Sequence, residues 1–261
     1  MTPTTLAVIM PSGMSTTPNR TQPAGEPPRD PLTLQVSELF LSIQGEGIRA
    51  GAVSAFVRLA GCDLRCIWCD TPYAHEPHRG RPLSIADILT QLDPLPTDEV
   101  VVTGGEPLIQ PNLQPLLAAL ARAGKRVTLE TNATQFRPLQ CDLVSMSLKL
   151  ASSVPHTGPY AHWAATHERT RLNLPAVCRF LETNNCQLKF VVADEADIAE
   201  TQSILAQLPP IDPCRVLLMP QARTKHEYRQ RAPWLAEQCV RLGLRFGPRL
   251  HVELWGARRG R

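Results

Sequence analysis

The chain has 261 residues, of which 43% are hydrophobic and 20% charged, and its formal net charge is +3. This length fits one large α/β domain or two small ones, and the hydrophobic content excludes a wholly disordered chain. So small a charge excess argues against direct binding of nucleic acid or a membrane surface. No apolar run approaches the roughly 20 residues that a membrane helix needs. Eight cysteines are too few for a disulfide scaffold, so we expect a cytoplasmic protein with reduced thiols.

The first part of the chain has a composition unlike the rest. Residues 1–33 contain seven prolines among threonine, serine and glycine, and few residues there could build a core. Proline removes a backbone donor and blocks regular helix and sheet. We therefore predict a disordered leader over residues 1–33, with Met14 as an alternative start of translation, and one domain over residues 34–261.

Apolar runs alternate with helical patterns after the leader. A helix capped by Ser84 is predicted to run to about Leu92, and a second helix is predicted over 113–123, ended by Gly124. Further helices begin at Asp194 and at the Thr224–Glu227 capping box, the latter running to about Leu242. Strands are predicted over 34–43, 53–59, 100–103, 127–131, 143–147, 188–192, 216–219 and 249–254.

Strands that alternate with helices predict a parallel sheet with crossover connections. The chain has room for about six such units, fewer than the eight of a complete barrel. We therefore predict an α/β fold of the partial (β/α)6 TIM-barrel type, with N-terminal and C-terminal additions. Residues 155–183 show no clean periodicity, and we interpret them as an insertion or a cover over the active site.

The strongest motif is the run CDLRCIWC, which places Cys62, Cys66 and Cys69 within eight residues. Closely spaced thiolates hold iron–sulfur clusters, and three ligands leave one iron of a four-iron cluster free to bind another molecule. Structural zinc is the alternative, with His75 or His78 as a fourth ligand, although zinc sites commonly use cysteine pairs two residues apart. The remaining five cysteines are scattered, and we interpret them as reduced core residues.

Polar residues follow several of the predicted strands. The turn Thr103-Gly104-Gly105-Glu106-Pro107 comes directly after one strand, and its glycines allow a ligand to approach the backbone closely. The runs 130–132, 145–149 and 219–221 end three others, where the binding sites of α/β proteins form. His251 is interpreted as a packed core residue. The arginine-rich end of the chain is either a solvated tail or a clamp on an anionic ligand.

The cysteine spacing and the glycine turn resemble the radical S-adenosylmethionine superfamily. Within it, the chain resembles 7-carboxy-7-deazaguanine synthase over roughly residues 36–256. The most specific matching segments are 44–47 (QGEG), 56–62 (FVRLAGC) and 68–73 (WCDTPY), and the segments 103–107, 130–132, 188–191 and 249–252 agree.

The resemblance implies a reaction and its cofactors. 6-Carboxy-5,6,7,8-tetrahydropterin would be converted to 7-carboxy-7-deazaguanine with loss of ammonia, for queuosine and tRNA modification or for another 7-deazapurine pathway. The cofactors would be a four-iron, four-sulfur (4Fe-4S) cluster, S-adenosylmethionine and Mg2+. A flavodoxin-type reductant and a homodimer are also implied, with no direct contact to nucleic acid or membrane.

The resemblance also assigns residues, position by position. Where the family usually has Ser-Pro-Lys, this chain has Ser147-Leu148-Lys149. The cluster ligands would be Cys62, Cys66 and Cys69; the cofactor contacts Trp68, Asp70, Gly105, Ser147, Leu148, Lys149 and Gln221; the substrate contacts Ile43, Gln44, Gly45, Arg58 and Thr103; and the Mg2+ ligand Thr71.

Two other classes of protein remain open at this point. A glycyl-radical activase shares the cysteine spacing and the glycine turn but acts on a partner protein, and the QGEG and CDT segments favour the pterin enzyme instead. The non-enzymatic alternative is an iron–sulfur electron carrier or a zinc-stabilised binding module. An electron carrier, however, usually holds its cluster with four cysteines.

Overall fold

One nine-stranded sheet runs through the part of the chain that the computed structural model describes, residues 32–256 and 258–260. Residues 1–31, which include most of the predicted leader and Met14, lie outside it. The strands are β1 (Thr33–Ile43), β2 (Val53–Leu59), β3 (Arg81–Ser84), β4 (Glu99–Gly104), β5 (Arg126–Thr131), β6 (Leu143–Leu148), β7 (Cys186–Val192), β8 (Val216–Pro220) and β9 (Arg245–Phe246).

The sheet is open, with the strand order β3-β1-β2-β4-β5-β6-β7-β8-β9. From β2 onward all neighbours pair in parallel, whereas β1 is antiparallel to both β2 and β3. The six longer parallel strands, β2 and β4 to β8, confirm the predicted partial barrel. The antiparallel pair at one edge and β9 at the other are the predicted additions.

Within residues 32–256, seven α-helices connect and flank the strands. Capping boxes at Ser84 and at Thr224 begin two of them, and Asp194 caps a third, as predicted. In the described residues no helix has the length and apolar character needed to cross a membrane. The helices are α1 (Ile85–Leu92), α2 (Leu113–Arg122), α3 (Ala164–Thr170), α4 (Leu174–Thr183), α5 (Glu195–Leu205), α6 (Lys225–Leu242) and α7 (Leu250–Trp255).

The two faces of the sheet have different chemistry. Side chains alternate along a strand, so one face of β2 to β8 packs its valines, leucines and other apolar residues against α1, α2, α4, α5 and α6. The opposite face of the same strands carries polar and charged side chains that line a cavity. These are Arg58, Thr103, Glu130, Ser147 and Lys189.

The structure corrects one predicted strand and defines two segments that lack a clear sequence pattern. Residues 249–254 are not a strand: Leu250–Trp255 form helix α7, in which the amide of Glu253 donates to the carbonyl of Arg249. The short strand Arg245–Phe246 pairs with β8 instead. The segment 155–183 contains the crossover helix α4, whose Val177 and Phe180 are buried in the core. A run as short as 249–254 fits both the two-residue period of a strand and the 3.6-residue period of a helix. The alternation of apolar residues therefore did not distinguish the two.

The five scattered cysteines have different environments. Cys186 and Cys239 are buried, and Cys141 and Cys178 pack against the core, which agrees with their interpretation as core residues. Cys214 is exposed, so that interpretation is wrong for it. It lies in a short 3-10 turn before β8, where the chain runs over the surface.

Candidate active site

A cavity of about 230 Å3 opens at the carboxyl ends of the parallel strands. Fourteen of the sixteen residues assigned by resemblance line it. The exceptions are Leu148, whose side chain packs in the core because it alternates with Ser147 along β6, and Gln221, which is bound through its backbone to Val192 and Arg231. The lining residues are Ile43, Gln44, Gly45, Arg58, Cys62, Cys66, Trp68, Cys69, Asp70, Thr71, Thr103, Gly105, Ser147 and Lys149.

The three cysteines lie on the loop after β2, which is tied to the segment that follows it. The amide of Cys62 donates to the carbonyl of His75 at 3.0 Å, and Nε2 of His75 lies 3.3 Å from Sγ of Cys69. Burial raises the pKa of Cys66 to about 12 and raises that of Cys62 and Cys69. Buried thiols with such pKa values become thiolates only beside a cation, which is what a metal cluster provides.

Arg65, on this loop, contacts aromatic residues of the segment 155–170. Its guanidinium lies 4.6 Å from the ring centre of Trp163 and 5.7 Å from that of Tyr160, within the range of cation–π attraction. The same group donates to the carbonyl of Cys62 at 2.7 Å and pairs with Glu76 at 2.7 Å. The orientation of the cysteine loop therefore depends on residues far along the chain.

The glycine turn after β4 packs directly on the cysteine loop. A Cβ atom on Gly105 would lie 2.2 Å from the carbonyl oxygen of Gly61 and 2.7 Å from Cβ of Cys62, so only glycine fits there. The buried carboxylate of Glu106 accepts from the Thr131 hydroxyl and the Asn132 amide, both at 2.7 Å. These contacts join the turn to the end of β5.

A buried lysine joins two carboxylates on the other side of the cavity. Nζ of Lys189, whose side chain is 2% exposed, lies 2.7 Å from Oε2 of Glu46 and 2.5 Å from Oε2 of Glu130. Gln44 donates to the second oxygen of Glu130 at 3.2 Å. Burial alone would raise the pKa of Glu46, but Lys189 and Arg249 hold it well below its usual range. Glu46 is therefore ionised at neutral pH.

Arg249 extends this network towards the cysteines. It donates to Glu46 at 3.1 Å and to Asp70, next to Cys69, at 2.6 Å. Burial would raise the pKa of Asp70, but His251, whose Nε2 lies 3.8 Å from Oδ2 of Asp70, and the charge of Arg249 hold that pKa well below its usual range. His251 also lies 3.9 Å from Glu46. The interpretation of His251 as a packed core residue is wrong, since it lines the cavity.

The cysteine loop and its surroundings fit an iron–sulfur cluster better than a zinc ion. In the described part of the chain, no three His, Cys, Asp or Glu side chains converge to hold a single ion. Cysteines around a cluster bind different irons and stand further apart than the ligands of one ion. None of the other five cysteines lines the cavity. Trp68 Nε1, buried beside these thiols without a hydrogen-bond partner, leaves a donor for a bound molecule.

An open α/β sheet with three cysteines after its first parallel strand and a glycine turn after the next defines a radical S-adenosylmethionine protein. The family model described as the Radical SAM superfamily matches residues 57–153. A crystal structure of QueE from Escherichia coli superposes with a TM-score of 0.62 over 82% of this chain and 93% of that chain, at 24% identity. This similarity shows that the two proteins share a fold.

Curated relatives define the family more closely. The 7-carboxy-7-deazaguanine synthase of Halobacterium salinarum is 39% identical over 236 residues, covering 87% of this chain and 92% of the relative. That of Rhodopirellula baltica is 36% identical, with 87% and 89% covered. The chain belongs to the 7-carboxy-7-deazaguanine synthase family.

Proposed function

We propose that this chain converts 6-carboxy-5,6,7,8-tetrahydropterin to 7-carboxy-7-deazaguanine and ammonia, in the biosynthesis of queuosine and related 7-deazapurines. The observation that carries the proposal is that one cavity joins the three cysteines to a set of fixed charges suited to a pterin carboxylate. Arg58 lies at one side of this cavity, and Glu46 and Glu130 lie at another. The family membership supports the same reaction.

Cys62, Cys66 and Cys69 would hold a 4Fe-4S cluster, and S-adenosylmethionine would bind its open iron. Bound there, the two supply one-electron reduction and hydrogen-atom abstraction. Ser147, Lys149 and Gly105 would bind S-adenosylmethionine, together with Trp68 and Asp70. Lys149 supports this role because its Nζ is held 2.7 Å from Oγ of Ser147 and 5.9 Å from the ring centre of Trp68.

The substrate would lie between Arg58 and the two buried glutamates. Arg58 would bind the substrate carboxylate, since a guanidinium gives paired, charge-assisted hydrogen bonds to such a group. Glu46 and Glu130 would accept hydrogen bonds from the N–H groups of the pterin, and Lys189 keeps both carboxylates in place. Ile43, Gln44, Gly45 and Thr103 would complete the walls; His251 was not assigned by resemblance, and its ring would join them.

Mg2+ would be bound by the hydroxyl of Thr71 together with oxygens of the substrate. This assignment is supported by the position of Thr71 in the cavity and by the preference of Mg2+ for few protein ligands and several oxygens from substrate and water. Gln221 would contribute through its backbone only. By resemblance, the protein would work as a homodimer in the cytoplasm with a flavodoxin-type reductant.

An anaerobic assay without any second protein separates this function from that of a glycyl-radical activase. The purified, reconstituted chain is given the carboxytetrahydropterin, S-adenosylmethionine, Mg2+ and a chemical reductant, and the products are read by mass spectrometry. The proposed function predicts 7-carboxy-7-deazaguanine. Reconstitution to one 4Fe-4S cluster per chain without any conversion of the pterin would contradict it.

A further inference from the structure

The arginine-rich tail returns to the cavity. Arg259 lies with its guanidinium 4.7 Å from the ring centre of Tyr73 and donates to Oε2 of Glu38 at 3.3 Å and to the carbonyl of Ser37 at 3.2 Å. Both Arg258 and Arg259 line the cavity. A solvated tail would not make these contacts, which join Arg259 to two separate parts of the chain, residues 37–38 and Tyr73.

Glu38 is the centre of this arrangement. It lies opposite Arg58 in the β1–β2 register, and its Oε1 accepts from Nε of Arg58 at 2.7 Å and from the Tyr73 hydroxyl at 2.6 Å. Among the described residues, Nε is the only atom of the Arg58 guanidinium with a hydrogen-bond partner. The hydrogen bond from Nε to Glu38 fixes the orientation of the Arg58 guanidinium, and its two terminal NH2 groups are left to bind a ligand.

The same contact has an electrostatic consequence. The side chains of Glu38 and Arg58 are only 11% and 13% exposed, so the ion pair between them is partly shielded from water. Together the two groups carry no net charge, and a neutral pair attracts an anionic ligand poorly at a distance. Arg259, paired with the second oxygen of Glu38, makes the group of three positive by one charge.

We propose that Arg259 is a specificity-determining residue. By offsetting the negative charge of Glu38, it leaves a net positive charge at Arg58 and so selects substrates with a carboxylate at the pterin 6-position. This inference rests on the proposed function, which places the substrate carboxylate at Arg58. It gives the tail a role in binding and leaves the chemical step to other residues.

Calorimetric titration of the reconstituted protein tests the inference without turnover. The probes are 6-carboxypterin and its 6-carboxamide, which differ in charge and hardly in shape. Arg259→Ala is compared with Arg259→Lys, which keeps the charge, and with Arg229→Ala. Arg229 is a matched control because its side chain is 67% exposed, against 61% for Arg259, pairs with Glu253 at 2.8 Å and lies outside the cavity lining.

Arg259→Ala is expected to weaken binding of the carboxylate about tenfold and binding of the amide less than about twofold, because an exposed cation is partly screened by water. Arg259→Lys should recover most of the carboxylate binding, and Arg229→Ala should change neither probe. Equal weakening of both probes, or unchanged carboxylate binding in Arg259→Ala, would overturn the inference. The pterin turnover assay is run separately on the wild-type chain, so a failure of the proposed function is recognised independently.

Discussion

Lys189 shows how one residue can hold a site together. A lysine inside an apolar strand is tolerated only when its charge is compensated, and here both Glu46 and Glu130 provide that compensation. Burial lowers the pKa of Lys189, but the two carboxylates raise it by more, so the ammonium persists at neutral pH. Loss of this cation would leave two carboxylates facing each other in a nearly dry part of the cavity.

Lys189→Met is therefore expected to lower the free energy of unfolding by about 3–5 kcal/mol, as breaking a buried ion pair does, and to abolish turnover. Urea unfolding measures the first effect. Lys125→Met is the matched control, because Lys125 pairs at 3.0 Å with Asp98, whose side chain is 72% exposed. That variant should lose less than about 1 kcal/mol. Equal losses in the two variants would refute the role given to the Lys189 network.

His75 is a single residue in contact with one of the three cysteines, Cys69. It is buried, and burial together with Arg65 lowers its pKa to about 4, so the ring is neutral. Its Nε2 lies 3.3 Å from Sγ of Cys69, and a neutral ring with a proton on Nε2 donates to a thiolate at that position. Hydrogen bonds to the sulfurs of a cluster stabilise its reduced form and raise its potential.

His75→Phe is accordingly expected to make the cluster potential more negative by on the order of 50 mV, since about 59 mV corresponds to a tenfold change for one electron. A redox titration followed by electron paramagnetic resonance measures it. His226→Phe, at an exposed position at the start of α6, should leave the potential unchanged. An unchanged potential in His75→Phe would show that this hydrogen bond has no effect on the cluster.

Most elements could be predicted because local chemistry and tertiary packing agree. The capping boxes at Ser84 and Thr224 and the buried strands Val53–Leu59 and Cys186–Val192 carry clear patterns, and the structure confirms them. Helix α7 could not be predicted, because its alternating sequence favours a strand. The side-chain bonds of Arg249 and the bond from the Leu250 amide to the carbonyl of Gly45 place it against the cavity. Tertiary contacts therefore determine that this segment forms a helix.

The site could be predicted where adjacent residues form a motif and not where distant residues meet. Cys62, Cys66 and Cys69 are visible as a spacing, whereas the pairing of Lys189 with Glu46 requires the fold, since 143 residues separate them. A single lysine in the otherwise apolar run 188–192 was the available indication. The contact of Arg259 with Glu38 spans 221 residues and could not be predicted from local sequence.

Helix α3 supports the cysteine loop through a neutral histidine. Nδ1 of the buried His167 accepts from the amide of Arg65 at 3.2 Å, so Nε2 carries the proton and donates to Oγ of Ser153 at 2.9 Å. Burial, and then the charges of Arg171 and Lys149, lower the pKa of His167 to about 4. Glu168 and Asp63 also face it and oppose this shift only in part.

This arrangement makes stability depend on pH. Because the folded pKa of His167 lies below the 6.5 of the unfolded chain, the unfolded state binds the proton first, and stability present above pH 6.5 is lost as the pH falls towards 4. Between pH 7 and pH 5 the wild type should lose about 2 kcal/mol more than His167→Gln, which keeps both hydrogen bonds without titrating. Equal losses in urea unfolding would contradict this.

At the scale of the whole molecule, one sheet separates two tasks. Its apolar face binds five helices and provides the core, while the other face presents fixed charges to a cavity that also contains the cysteine loop. The residues that line the cavity are spread along the described part of the chain, from Phe40 to Arg259. The fold therefore brings the three cysteines and the fixed charges together in one cavity.

The reaction assigned to this cavity removes ammonia from a carboxylated pterin. The substrate has the atoms of the product plus ammonia, so the reaction is redox-neutral overall and the two products must appear in equal amounts. The direct measurement is the simultaneous quantification of 7-carboxy-7-deazaguanine and ammonia formed anaerobically by the wild type and by Cys66→Ser. The wild type is expected to form one ammonia per deazaguanine, and the variant is expected to form neither product. No deazaguanine from the cluster-loaded wild type, or equal formation by the variant, would contradict it.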